Sequence, residues 1–351
     1  MFWSETFNSA EDFKQKLEEY ICYFNNERIS LALNRMNPVE FRIHSLCQPS
    51  NFWGHISLQS FVCRQSRPIT DRGKYSERII MEYITITSAQ NAALKHLVKL
   101  RDRRTRDKEN LTILEGYREL TRSREYGMEL VECYFSPEHF LGSNEFPLLE
   151  EIASSGVKVT RLAPHLLEKV TYRDRPEGLL AVAKMRKHDL EMLPEFEAPL
   201  YLVAETIEKP GNLGSMLRSA DAAGADALIV CERKTDLYNP NVIRASTGAI
   251  FSVPVAVCDN ESALEYLRKR GVKILAATPH TDFKYTDVDL TQPVAIVVGA
   301  EQTGLTDFWM DQADLKVNIP MLGKIDSLNV ASAATILLYE AARQRKFVKR
   351  G

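Results

Sequence analysis

Six short apolar runs rich in Val, Ile, Leu and Ala, at residues 200–204, 227–231, 253–257, 272–276, 294–298 and 315–319, alternate with helical stretches through the last part of the chain. Runs of this length are too short for buried helices, and their separation suits parallel strands joined by crossovers. The spacing therefore predicts an α/β domain over residues 198–351, with a mostly parallel sheet covered on both faces. Residues just after each run emerge at the carboxyl edge of such a sheet, where open α/β sheets bind ligands.

Two of these exits are chemically distinctive. Run 294–298 leads into Gly299-Ala300-Glu301-Gln302-Thr303-Gly304, and Ile319-Pro320-Met321 is followed by Ser327-Leu328-Asn329. The glycines admit close approach by a ligand and permit positive φ. Ser327 and Asn329 place short polar groups at the start of a long helix, where backbone amides lack partners. Glu301 stands where a dinucleotide fingerprint needs its second glycine, which disfavours a nicotinamide site. Taken singly, either loop is equally a glycine turn and a capped helix serving only the fold.

At the first crossover, the segment from Gly211 to Gly224 puts Asn212, Ser215, Arg218 and Ser219 near one helix face. That polar stripe borders the same sheet edge. The chain thus carries, in order, NLGSMLRSADAAGA, NVIRASTGAIFSVP, VVGAEQTGL, NIPM and SLNVASAA. This succession resembles the SpoU/TrmH family of RNA ribose 2′-O-methyltransferases, in the SPOUT class, and the likeness extends over roughly residues 112–345.

The resemblance implies a SPOUT α/β trefoil-knot domain, a rare exception to unknotted topology. It also implies S-adenosylmethionine as cofactor, a homodimer and an RNA substrate. Carried across residue by residue, it places the cofactor on Gly299, Ile319 and Leu328, and catalysis and substrate positioning on Asn212, Arg218, Glu301, Ser327 and Asn329. A guanidinium is a poor base, so the expected role for Arg218 is binding the target phosphate and hydroxyl. Glu301 would then orient Arg218 or the ribose.

Upstream, residues 81–190 read as a compact α/β unit with strands at 83–86, 111–114, 130–135, 157–160 and 179–183. A helix opening at Ser88 should bury Leu94, Leu97 and Val98. The segment Lys95 to Lys108 holds seven Lys/Arg against two Asp, or 7 − 2 = +5, in a chain of net charge −2. That is a phosphate-backbone patch or a solvated helix end. Ile113-Leu114-Glu115-Gly116 with Arg118, Arg122 and Arg124 looks like the ribosomal-protein-like substrate-binding domain that precedes many ribose methyltransferases. Residues 186–199, polar with two prolines, are the expected hinge.

Residues 1–46 have another character. Ser9 with Asp12 forms a capping box before Phe13, Leu17, Ile21 and Phe24, and Asn37-Pro38-Val39-Glu40 starts a second helix. The stretch EDFKQKLEEYICYFNNERISLALNRMNPVEFR resembles the carboxyl end of an insertion-sequence transposase after its integrase core. The acidic triad of that family lies upstream of this tail, so DNA is not an expected partner. Residues 47–80 follow neither period and read as a linker, expected to be disordered.

Six scattered cysteines with no Cys-x-x-Cys pair make zinc and disulfides unexpected, and no run reaches membrane-spanning length. A cytoplasmic enzyme acting on rRNA is the leading expectation. The alternatives are a non-catalytic RNA-binding protein of the same fold, and tRNA as the substrate.

Overall fold

The computed structural model describes residues 83–348. The helices expected after Ser9 and Asn37, the transposase-like stretch 1–46 and the linker 47–80 lie outside the described residues. Two sheets organise what is described. The first is built from β1 (Thr85–Ile86), α1 (Ala92–Lys99), α2 (Arg103–Glu109), β2 (Leu111–Glu115), α3 (Tyr117–Glu125), β3 (Leu130–Phe135), α4 (Glu145–Ser154), β4 (Lys158–Leu162), α5 (Pro164–Val170) and β5 (Leu179–Lys184).

Its strand order is β1-β4-β3-β5-β2. The β1–β4 and β3–β4 pairs are parallel, and β5 runs antiparallel to both β3 and β2. Alternation decides the faces: Leu114, Cys133 and Phe135 enter one core, Ile113 and Tyr134 another. The first helix starts at Asn91, whose side chain caps Ala93 N, rather than at Ser88. Leu94 and Leu97 are buried, but Val98 is 41% exposed because the buried stripe is narrower than expected.

The second sheet comprises β6 (Leu200–Glu205), α6 (Pro210–Ala223), β7 (Ala227–Cys231), α7 (Pro240–Ser246), α8 (Ala249–Ser252), β8 (Val255–Cys258), α9 (Asn260–Lys269), β9 (Lys273–Ala277), β10 (Val294–Val298), α10 (Asp307–Gln312), β11 (Leu315–Val317) and α11 (Val330–Gln344). Its order is β11-β9-β10-β6-β7-β8, with every pairing parallel. Leu200, Leu202 and Ala204 face one core and Tyr201 and Val203 the other, as helices on both faces demand.

The chain walks outward from β6 to β8, returns to β9, inserts β10 beside β6, and places β11 beyond β9. It then doubles back, so that α11 packs on α6, β6 and β10. This is the SPOUT α/β knotted arrangement expected from the motifs, with its closing segments at 299–306 and 318–329.

Residues 186–199 are not a free hinge. Leu190 and Leu193 are buried with Tyr201 and Val203, and Val257 N donates to His188 O at 2.7 Å. One hydrophobic core holds both Leu120 and Phe135 of the first sheet's layer and Ile250 and Leu202 of the second's. Arg106 crosses between the layers to Asp236 at 2.6 Å, with both side chains buried.

Candidate active site

The strand order reverses between β6 and β10, and the segments leaving these neighbours converge. The β6 exit runs into α6. Lys209 is the N-cap residue, Pro210 fills a first-turn position where no amide is needed, and Gly224 ends the helix at φ 71. Asn212 lies in the first turn. Gly214 is required by close packing, since a Cβ there would come within 2.6 Å of Ala245 Cβ and 2.7 Å of Val242 O on α7. The NVIRASTGA segment supplies that partner surface and turns at Thr247 and Gly248, both with positive φ.

The β10 exit folds tightly on itself. Gly304 N donates to Ala300 O at 2.9 Å with Gly304 at φ +70, and a Cβ at Gly299 would collide with the Gly304 carbonyl. Further on, Thr306 donates through its amide and hydroxyl to the fully buried Glu205, at 2.9 and 2.6 Å. Asn260 also donates to Glu205, and Trp309 Nε1 donates to Asn260 at 2.8 Å. The end of β6 therefore holds the far end of the Gly299–Gly304 loop.

The third segment arrives at Asn329, the N-cap of α11. Its Oδ1 accepts from Ala331 N at 3.0 Å and Ser332 N at 3.4 Å. Its Nδ2 donates to Asn212 Oδ1 at 3.1 Å and to Glu301 Oε1. Glu301 Oε2 pairs with Lys209 Nζ. Hydrogen bonds from Lys209 first, then Asn212 and Asn329, hold the Glu301 carboxyl below the ordinary glutamate range, so at neutral pH it is an anion and an acceptor.

Three of the five residues expected from sequence to do chemistry, Asn212, Glu301 and Asn329, are thus hydrogen-bonded together. Arg218 lies further along α6, exposed and without a hydrogen bond or ion pair among the described residues. Glu301 pairs with Lys209 and makes no ion pair with Arg218 among the described residues. Ser327 is exposed two residues before Asn329. Ser219, expected on the polar stripe, is spent on Thr335 Oγ1 of α11 at 2.7 Å.

Of the residues expected around a cofactor, Gly299 is buried, while Ile319 and Leu328 are half-buried on the converging loops. Beside Ile319, the buried Asn318 Oδ1 has no partner. Half-buried apolar side chains at 319 and 328 and an acceptor at 318 without a partner among the described residues are the chemistry that suits a ligand with both apolar and hydrogen-bonding parts.

The basic segment Lys95 to Lys108 is only partly free. Arg106 is buried on Asp236 and on the Leu100 and Arg101 carbonyls, and Arg101 stacks over Tyr172 at 4.7 Å. Lys95, Lys99, Arg104 and Lys108 remain exposed. Arg122 donates to Thr247 O at 2.8 Å and lies against Gly248, and Arg124 pairs with Glu151. Arg118 stays exposed.

Sequence reasoning missed Lys209 and Glu205. A charged residue closing the buried run LYLVAE was a usable signal for Glu205; a lone lysine before Pro210 gave none.

Comparisons with known proteins agree with this geometry. The SpoU rRNA Methylase family model matches residues 199–339, and a model described as MRM3-like substrate binding domain matches residues 91–181. An Integrase core domain model matches residues 1–46. A 23S rRNA (uridine(2479)-2′-O)-methyltransferase of Streptomyces viridochromogenes is 34% identical, over 75% of this chain and 92% of its own length.

The 23S rRNA (guanosine(2553)-2′-O)-methyltransferase RlmP of Bacillus subtilis is 30% identical over 72% of this chain and 97% of its own. The crystal structure of the SpoU methyltransferase AviRb from Streptomyces viridochromogenes in complex with AdoMet aligns with TM-score 0.67 and 32% identity, covering 74% of this chain and all of that one. With these relatives matched over nearly their whole length, and its motif segments meeting at one sheet edge, the chain belongs to the SpoU rRNA methylase family.

Proposed function

We infer that the protein is an S-adenosylmethionine-dependent RNA methyltransferase that methylates a ribose 2′-hydroxyl, with rRNA as its substrate. The observation that carries this reading is the meeting of Asn212, Glu301 and Asn329, from three separate chain segments, with Arg218 exposed on the helix that carries Asn212. The 23S rRNA targets of the relatives support rRNA over tRNA.

Bound S-adenosylmethionine supplies an electrophilic methyl group; Gly299, Ile319 and Leu328 are the residues that would hold it. A ribose hydroxyl is a weak nucleophile and must lose its proton as it reacts. Arg218, whose guanidinium has no partner among the described residues, binds the target phosphate and hydroxyl and lowers the cost of the developing alkoxide. The phosphate or a water takes the proton, because guanidinium does not. Asn212 and Asn329, held by Glu301, fix the angle of approach, and Ser327 completes the polar wall.

A homodimer is part of the proposal. Most of α11 is buried within the chain itself, so the support comes from its Tyr339 and from the loop residues Leu322 and Ile325, which are 98% and 61% exposed. Residues 1–46 are proposed as a transposase remnant, on the Integrase core domain match. Among the described residues no helix is long and apolar enough to cross a membrane.

The test is methyl incorporation from labelled S-adenosylmethionine into deproteinised rRNA and tRNA in parallel, read as alkali-resistant dinucleotides. Label in rRNA dinucleotides is expected. Donor binding without incorporation would favour a non-catalytic RNA-binding protein.

A further inference from the structure

We propose that Lys209 is a positioning residue for methyl transfer: by holding one oxygen of Glu301 it fixes the other on Asn329, and so sets the amide cluster that orients the target ribose. This deepens the function proposed above and rests on it. Lys209 precedes the first motif segment, and nothing in the sequence marks it.

The geometry is a relay between two helix starts. Lys209 is the N-cap of α6, where an ammonium, having no acceptor, cannot cap the helix, and its Nζ pairs with Glu301. Asn329, the N-cap of α11, has its Oδ1 committed to two backbone amides, so its Nδ2 can only address Asn212 and Glu301. A carboxylate gripped at one oxygen can rotate about its last bond. Gripped at both, it presents a fixed edge to Asn329. Residues at the starts of α6 and α11 both bond this anion.

Folding does not explain the Lys209 contact. The Lys209 side chain is 69% exposed, against 21% for Glu301, and ion pairs at such sites contribute little to stability. The amide cluster it supports, by contrast, is where a small misalignment is expensive in rate.

The experiment compares full-length wild type, Lys209→Met, Lys209→Arg, Glu301→Gln and the Lys209→Met/Glu301→Gln double variant. It reads kcat and KM on rRNA, donor affinity by calorimetry and Tm. For Lys209→Met, kcat is expected to fall about 10-fold, within the roughly 100-fold that a misplaced reacting group costs. KM for RNA, donor affinity and Tm should stay within about twofold or a degree of wild type. Lys209→Arg should recover most of the rate, and the double variant should be no slower than Glu301→Gln alone.

A raised KM for RNA with kcat unchanged would mean that Lys209 contacts phosphate instead, and would overturn the proposal. Unchanged kinetics, or additive losses in the double variant, would overturn it too. Wild type that binds donor but transfers no methyl contradicts the functional reading and this inference with it; an active wild type with unaffected Lys209→Met contradicts the inference alone.

Discussion

Arg106 and Arg218 are both helical arginines in segments that suggest RNA contact, yet the two layers use them in opposite ways. In the first layer, Arg106 is buried on Asp236 and Arg122 is tied to Thr247 O, so these two arginines fasten one layer to the other. In the second, Arg218 is exposed and makes no hydrogen bond or ion pair among the described residues, on the same helix as Asn212. A buried guanidinium must be paired or its desolvation is unaffordable; a free one is available to an incoming phosphate. Burial, and not charge, separates Arg106 from Arg218.

Substitutions can break that contrast. Arg106→Met leaves Asp236 buried and unpaired, and should cost about 3–5 kcal/mol in denaturant unfolding. Pairing it with Asp236→Leu should recover much of the loss. A cost below about 1 kcal/mol would class this as a surface-type pair and erase the distinction.

Arg218→Ala should do the reverse: kcat lower by about 100- to 1,000-fold, as for removal of a group that stabilises developing charge, with the unfolding midpoint unchanged. Gly299→Ala forces a Cβ against the Gly304 carbonyl and should cost about 1–3 kcal/mol, with weakened donor binding in calorimetry. Asn329→Ala removes the α11 cap and should destabilise by about 1 kcal/mol, on top of its loss of activity.

The smallest effect tests the join between the layers. Tyr238 hydroxyl accepts from Arg186 N and is hydrogen-bonded to His188 Nε2, while His188 Nδ1 donates to Val255 O. Burial pushes the His188 pKa down, so the unfolded chain takes up its proton first as pH falls. This contribution is complete above the ordinary histidine value of about 6.5 and is lost on acidification below it. His188→Phe should flatten the slope of stability against pH there; an unchanged slope would show that residues 186–199 do not hold the layers together through this ring.

The second sheet was legible because its signal is local. Apolar runs with helical spacers dictate a parallel α/β sheet, and the observed strands differ from the expected ones by a residue or two at their ends, as β8 (Val255–Cys258) does. Asn212, Glu301 and Asn329 were legible as residues, but their bonding was not, since nothing in the sequence says that Lys209 would outcompete Arg218 for Glu301. Residues 186–199 read as a hinge because polar side chains and prolines dominate them. Two leucines, Leu190 and Leu193, were enough to anchor that segment once Tyr201 and Val203 offered a face. Arg106 was misjudged for the same reason: its partner Asp236 is distant in sequence.

Single-turnover methyl transfer to rRNA, measured beside calorimetric donor binding for wild type and Arg218→Ala, tests the central claim most directly. Equal donor affinity with a transfer rate about 100-fold or more lower in the variant is the predicted result. Equal rates in the two proteins would contradict it.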